Sequence, residues 1–173
     1  KVSAIVPRRA DQPRDTVLDG IRVLGFDRQE LLSPFSIYSQ IDADVYHSQE
    51  PSFGTYMAQK AHPQKAHVVT FRDTRTLYDW MIELRYPSQN AAQVLFNKVY
   101  EDNFLVHRAV RNADAAFGAS HYVAQKALKK YRLQEVPKLL PTPVNIPDQI
   151  KKASQPTVFF NSRWDRRKRP ELF

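Results

Sequence analysis

The chain has 173 residues, a length typical of one to one-and-a-half domains. Hydrophobic residues make up 42% of it, which is enough to form a core. It has no cysteine, which excludes disulfides and thiolate metal sites, and its four glycines form neither a dinucleotide-binding fingerprint nor a P-loop. Its 26 basic and 18 acidic residues give a formal charge of +8, so we expect an anionic partner. No apolar run approaches the length of a membrane span and no signal peptide opens the sequence, so we predict a soluble protein.

Short apolar runs recur along the sequence and predict β-strands, with helical periodicity between them. Most of the runs are near-continuously apolar rather than alternating, which is typical of strands buried on both faces of a sheet. Strands that alternate with helices predict an α/β fold with a largely parallel sheet. The predicted strands are residues 2–6, 21–24, 43–46, 67–71, 115–118, 138–140 and 157–160. The predicted helices are residues 53–61, 91–112 and 122–131.

The predicted helix 122–131 has an apolar face and a basic face. Ser120 is placed to cap its N-terminus. Lys126, Lys129 and Lys130 line the polar face, and two interpretations of them stay open. A solvated face accounts for them, since lysines late in a helix also suit its dipole. Alternatively, the basic face contacts an anionic membrane surface.

A proline-rich segment divides the chain. Residues 141–156 hold four prolines among polar residues, a composition typical of an interdomain linker. We therefore predict a first domain at residues 1–143, a linker at 144–156 and the start of a second domain at 157–173.

Two cations follow the last predicted strand, residues 157–160. Arg163 and Lys168 lie in a segment whose prolines and charges suit a turn from strand to helix. A helix N-terminus adds free N–H groups and a partial positive charge, so this turn predicts an anion site that would suit a diphosphate. The alternative is a solvated basic turn, because three further arginines lie there.

Polar residues also follow two predicted strands inside the first domain. His47 ends one strand and Glu50 follows in the loop after it, and Arg72 and Asp73 lie in the loop at the carboxyl end of the next strand. Ligands of open α/β sheets bind at the carboxyl ends of the strands, so these residues are candidates for a binding site. The alternatives are a histidine with a purely structural role and a local ion pair between Arg72 and Asp73.

Four stretches of the sequence, taken in order, are similar to glycosyltransferase family 4. Residues 41–54 (IDADVYHSQEPSFG) resemble its strand that ends in histidine before a helix, and residues 67–75 (HVVTFRDTR) resemble its acceptor-side loop. Residues 112–123 (NADAAFGASHYV) resemble its strand with a serine-capped helix. Residues 139–145 (LLPTPVN), with the turn from Arg163 to Lys168, resemble the entry to its second domain.

Members of this family are retaining enzymes that use nucleotide sugars and have two Rossmann-like domains, the GT-B fold. The resemblance implies that residues 1–143 are the Rossmann-like acceptor-binding domain and that the nucleotide-sugar-binding domain is only begun. It also implies that the first strand and the Gly-rich loop of the family precede Lys1. The glutamates that family members use on the donor would lie in the missing part of the second domain, so we expect the chain by itself to be inactive.

The resemblance implies roles for single residues as well. Arg163 and Lys168 would bind the donor diphosphate and stabilise the leaving group. His47 would lie beside the transfer site, and Glu50 is the candidate to take the proton of the acceptor hydroxyl. An anionic acceptor would suit Arg75. The residues expected to shape the acceptor site are Arg72, Asp73, Arg75 and Ser120.

The implied reaction moves a hexosyl group from a nucleotide-diphosphate sugar to a sugar or lipid-linked hydroxyl acceptor. No cofactor is expected, and no metal, because the five histidines are scattered and no cluster has metal-ligand spacing. We expect a cytoplasmic protein, with peripheral contact to an anionic membrane left open, and no nucleic-acid partner.

Two other functions stay open on the sequence. The basic charge also suits a nucleic-acid-binding α/β module, although no helix-turn-helix, RNA-recognition or zinc signature is present. The second is a non-catalytic, transferase-like scaffold, for which the departures from the family pattern at Arg72 and Ser162 leave room; Thr142 is a third departure. Arg72 stands in place of a histidine, Thr142 of an asparagine and Ser162 of a glycine.

Overall fold

Strands and helices alternate along most of the described chain. The computed structural model describes residues 1–8, 10–27, 30, 37–85 and 90–143. Its elements, in chain order, are β1 (Ser3–Pro7), β2 (Asp15–Leu18), β3 (Ile21–Phe26), β4 (Val45–Gln49), α1 (Phe53–Ala61), β5 (Ala66–Phe71), α2 (Leu77–Arg85), α3 (Ala91–Glu101), α4 (Phe104–Arg111), β6 (Ala115–Gly118), α5 (His121–Tyr131) and β7 (Lys138–Leu139). A short 3₁₀ turn at Tyr38–Gln40 precedes β4.

Strands β4 to β7 form one sheet in the order β4-β5-β6-β7, and all its pairings are parallel. Parallel neighbours need a crossover connection, and each crossover here carries at least one helix. Helix α1 joins β4 to β5, helices α2 to α4 join β5 to β6, and α5 joins β6 to β7. The predicted α/β fold class with a Rossmann-like parallel sheet is confirmed. Because the strands are parallel, their carboxyl ends meet at one edge of the sheet.

The main core lies on β5, a central strand of this sheet. Val69 and Phe71 are completely buried, as expected for alternate residues of a strand that helices cover. The ring of Phe71 stacks on that of Tyr131 in α5, with 5.3 Å between the centroids. The other buried members of the cluster are Val106, Val110 and Ala127.

Strands β1 to β3 form a second, three-stranded sheet in the order β1-β3-β2. Strand β1 pairs with β3 in parallel, whereas β2 pairs with β3 antiparallel. The β2–β3 hairpin turns at Asp19 and Gly20, whose φ angles of 49° and 78° are those of a type I′ turn. The backbone twist of a type I′ turn matches that of the flanking strands, so the turn favours the pairing of the short strand β2 with β3. Strand β2 is absent from the sequence-based prediction.

The prediction of one helix over residues 91–112 is wrong. Helix α3 ends at Glu101 and α4 begins at Phe104. Between them, the side chain of Asn103 accepts hydrogen bonds from the N–H groups of Leu105 and Val106, at 2.8 and 3.1 Å. Asparagine in this position caps a new helix because it satisfies two donors that the helix itself leaves without a partner.

The strand predicted at residues 43–46 is displaced, since β4 covers Val45–Gln49. The N–H of Ala43 donates to the hydroxyl of Tyr46, and that hydroxyl donates to the carbonyl of Ile41. The segment before β4 is therefore bonded to a side chain of that strand, and the carbonyl of Asp44 accepts a hydrogen bond from β5, from the N–H of Ala66 at 3.3 Å.

In the part of the chain that the structure describes, no helix is long and apolar enough to cross a membrane. The predicted linker at residues 144–156 and the second domain at residues 157–173 lie outside the described residues. The domain boundaries therefore stay a prediction.

Val69→Ala should lower the free energy of unfolding by about 2 kcal/mol, because it leaves a cavity at a fully buried position. The matched control is Val17→Ala on β2, where the side chain is 68% exposed and the loss should be below about 0.5 kcal/mol. Urea unfolding curves measure both variants. Equal effects would contradict the assignment of the core to β5.

Candidate functional site

The carboxyl edge of the parallel sheet brings the ends of β4 and β5 together. Glu50 follows β4 directly, and Arg72 and Asp73 follow β5. The two strands pair with Gln49 opposite Thr70, which places the following segments next to one another. The predicted site residues of the two strands are therefore neighbours in the structure.

The carboxylate of Glu50 ties these strand ends to each other. Its Oε1 accepts hydrogen bonds from the backbone N–H groups of Arg72 and Asp73, the latter at 2.8 Å. The N–H of Glu50 donates to the carbonyl of Thr70 at 2.9 Å. The φ angle of Glu50 is 87°, a value that residues with a side chain rarely adopt. These hydrogen bonds hold Glu50 in a backbone conformation that is unfavourable on its own.

Two carboxyl groups near this edge have raised pKa values. Burial raises the pKa of the Glu50 carboxyl above its ordinary value of 4.5, although the amides of Arg72 and Asp73 oppose the shift. Burial also raises the pKa of Glu101, at the end of α3, against the opposing effect of the Arg75 charge. Carboxyl groups that are shifted in this direction at a sheet edge are candidates for proton transfer.

Arg75 is held by neighbouring groups. Its Nη1 lies 3.5 Å from Oε2 of Glu101, and its Nε lies 3.8 Å from Oδ2 of Asp73. The guanidinium lies over the ring of Trp80, 4.8 Å from its centroid, and the Arg75 carbonyl accepts a 2.8 Å hydrogen bond from the Lys130 ammonium. Because carboxylates already balance its charge, Arg75 is a weaker anchor for an anionic acceptor than the sequence indicates.

His47 lies within β4 and not at its end, because the strand continues to Gln49. The prediction that His47 ends the strand is therefore wrong by two residues. Its side chain is exposed, and its Nε2 lies 2.7 Å from the hydroxyl of Thr70 on β5. This contact orients the ring through one nitrogen, so the other nitrogen can still meet a ligand.

Ser120 caps α5, as predicted. Its Oγ accepts a hydrogen bond from the N–H of Val123 at 3.2 Å, and its backbone is extended as a cap requires. The role in acceptor binding stays a prediction, because the cap by itself explains the serine.

Two charged residues reach this edge that the sequence does not assign to it. Glu101 contacts Arg75 because α3 ends there, and Lys130 lies 3.4 Å from Asp102. The Lys130 side chain is only 11% exposed, so the solvated position predicted for it is wrong. The available signal in the sequence is Asn103 ahead of an apolar run, which marks a helix start and hence the end of α3.

The other predicted site residues have no structural test. Arg163 and Lys168 lie outside the described residues, so the diphosphate site stays a prediction. Within the described ranges, no group of three His, Asp or Glu side chains could hold a metal ion.

Fold and site together define an α/β protein with a polar site at the carboxyl edge of a parallel sheet. Many unrelated activities use such an edge. The chain matches no protein-family model, no curated protein and no solved structure.

Ser120→Ala should lower the free energy of unfolding by about 1 kcal/mol, because α5 loses its N-terminal cap. Ser120→Asp is the matched control and should retain most of the stability, since aspartate caps as well as serine. Thermal unfolding measures both. A full loss in the aspartate variant would show that the serine has a role other than capping.

The raised pKa of Glu101 predicts a pH-dependent effect of Glu101→Gln. A carboxyl whose pKa is higher in the folded state contributes stability below its ordinary pKa of 4.5, and this contribution is lost as the pH rises through the folded-state pKa. A glutamine side chain does not titrate, so the variant does not lose stability in this way as the pH rises. The stability of the variant relative to the parent should therefore rise as the pH increases above the ordinary pKa of 4.5.

Urea unfolding at several pH values measures this difference. Glu135→Gln, at an exposed position before β7, controls for the loss of one negative charge. A relative stability of Glu101→Gln that falls as the pH rises would contradict the assigned direction.

Proposed function

We propose that the protein is a retaining glycosyltransferase that moves a hexosyl group from a nucleotide-diphosphate sugar to a hydroxyl acceptor. The observation that carries this proposal is Glu50, a partly buried carboxyl with a raised pKa at the carboxyl edge of the parallel sheet. The similarity of residues 41–54 and 67–75 to glycosyltransferase family 4 supports the reaction class.

Glu50 is the proposed base for the acceptor. In the described part of the chain, hydrogen bonds reach only its Oε1, so Oε2 can accept from the hydroxyl of a ligand. The acceptor oxygen bonds to the anomeric carbon of the donor as the bond from that carbon to the diphosphate breaks, and the acceptor proton passes to Glu50. A raised pKa suits this role because it brings the base closer to a neutral working pH. His47, on the same strand, would orient the reacting sugars.

Three carboxylates lie at the described part of the edge, together with the cations Arg72, Arg75 and Lys130. Glu50, Asp73 and Glu101 lie there, and Arg75 already pairs with two of them. Hydroxyl groups of an acceptor can donate hydrogen bonds to these carboxylates. We infer that the acceptor is a neutral sugar or a lipid-linked sugar whose hydroxyls face the carboxylates.

The donor would bind through Arg163 and Lys168. Two cations there would offset the negative charge that develops on the departing diphosphate, and stabilisation of this kind usually contributes most to the rate of such a reaction. Closure of the second domain over the sheet edge would exclude water and so prevent hydrolysis of the donor.

Isothermal titration of the full-length protein with UDP, GDP and ADP tests the donor half of the proposal. One diphosphate should bind, and Arg163→Ala should weaken its binding by at least about tenfold, because a charge-assisted contact to phosphate is lost. Arg166→Ala changes another arginine of the same segment and is the matched control, which should bind like the parent. If no diphosphate binds, or if both variants lose binding equally, the donor site is not at Arg163.

Glu50→Gln tests the acceptor half. Glutamine keeps the size of the side chain and can still accept from the Arg72 and Asp73 amides, but it cannot take a proton. The rate of transfer to a panel of neutral sugars, measured as release of nucleoside diphosphate, should fall by about 10²- to 10⁴-fold. Glu135→Gln controls for the lost charge. A transfer rate that is unchanged in Glu50→Gln would exclude the role of Glu50 as a base.

A further inference from the structure

A cavity of about 520 Å³ opens beside α3, α4 and the end of α5. Its volume is within the range of pockets that hold small ligands, about 300–1,000 Å³. Its lining is rich in cations, since it contains Lys98, Arg111, Lys130 and Arg132 and only one carboxylate, that of Asp102. The cavity is therefore positively charged, and the proposed transferase activity makes no use of it.

The inner part of the cavity is an ion cluster around Asp102. Its Oδ1 lies 2.8 Å from Nε2 of His107 and 3.4 Å from Nζ of Lys130, and its Oδ2 lies 3.9 Å from Nζ of Lys98. One carboxylate thus serves two lysines and a histidine. Burial lowers the pKa of Lys130 in spite of that carboxylate. A bound anion would favour the charged form of this lysine, as the charges of Asp102 and Glu101 already do.

The outer part of the cavity carries two arginines, Arg111 at the end of α4 and Arg132 just after α5. Both are exposed, and neither has an ion-pair partner within the described residues. The planar guanidinium groups match the oxygens of a phosphate and can each donate two parallel hydrogen bonds. Two guanidinium groups at one opening suit a ligand with two negative charges, such as a phosphate, better than a ligand with a single carboxylate.

An aromatic wall accompanies these charges. Phe104 lines the cavity and is 70% exposed, and the rings of His107 and Tyr131 lie 4.7 Å apart between centroids. An exposed phenylalanine beside a cationic opening can cover the apolar part of a ligand whose charged part meets the arginines.

We propose that this cavity binds a small organic phosphate, with the phosphate at Arg111 and Arg132 and an aromatic or apolar group against Phe104. A concave site of this volume suits one small molecule rather than the continuous backbone of a nucleic acid. The site is distinct from the sheet edge, but Lys130 belongs to both, since its Nζ also donates to the carbonyl of Arg75. The proposal does not depend on the proposed transferase function.

Isothermal titration of the full chain with phenyl phosphate tests the proposal, with inorganic phosphate and benzyl alcohol as probes for each half of the ligand. The test variant is Arg111→Gln combined with Arg132→Asn, because asparagine tolerates the φ angle of 54° at position 132. The matched control is Arg108→Gln, which removes an exposed charge of α4 that does not line the cavity. Urea unfolding shows whether all variants are folded.

We expect phenyl phosphate to bind more tightly than either simpler probe, and the double variant to weaken it at least about tenfold while Arg108→Gln leaves it unchanged. Sedimentation with phosphatidylcholine vesicles, with and without phosphatidic acid, shows whether the bound phosphate belongs to a lipid headgroup or to a small soluble molecule. Binding only to vesicles with phosphatidic acid, lost in the double variant, would assign the site to a lipid headgroup. Absence of both kinds of binding, or an equal loss in Arg108→Gln, would overturn the proposal.

Discussion

The hydrogen bonds from the Arg72 and Asp73 amides to the Glu50 carboxylate hold the carboxyl edge of the sheet together. Where a strand ends, its backbone N–H groups lose the partners that the sheet supplies. Here one side chain, that of Glu50 just after the neighbouring strand β4, accepts hydrogen bonds from two of these groups. The segment after β5 therefore has a fixed position relative to β4. The charged residues that this segment carries, Asp73 and Arg75, lie beside Glu50 as a consequence.

Two opposite effects act on the pKa of the Glu50 carboxyl group. Burial raises the pKa of Glu50, and the two amides lower it, because they stabilise the charged form. If Glu50 takes a proton, these hydrogen bonds lose their charge assistance and become weaker. Proton uptake at Glu50 is therefore coupled to the order of the segment after β5. One carboxyl group thus links proton uptake to the position of the segment after β5, which would suit the proposed transfer reaction.

The sequence predicts what depends on local pattern and misses what depends on distant contacts. The apolar runs predict the parallel strands because a strand such as β5 is buried over consecutive residues. Ser120 is recognisable as a cap because a cap binds the N–H of a residue close to it in the chain. The hairpin at Asp19 and Gly20 and the cap at Asn103 also depend on neighbouring residues, so the sequence encodes both although the pattern of apolar runs does not predict them. The pairing of Arg75 with Glu101, by contrast, depends on how α3 packs, and no local pattern encodes it.

Amide hydrogen exchange at Arg72 and Asp73 tests the role of Glu50 most directly. We expect both amides to be protected in the parent chain and to lose protection in Glu50→Ala, since their only acceptor within the described residues is that carboxylate. The amide of Ala119, which donates to the carbonyl of Phe71 and does not contact Glu50, should keep its protection in both chains. Equal exchange of the Arg72 and Asp73 amides in parent and variant would contradict the claim that Glu50 organises this edge.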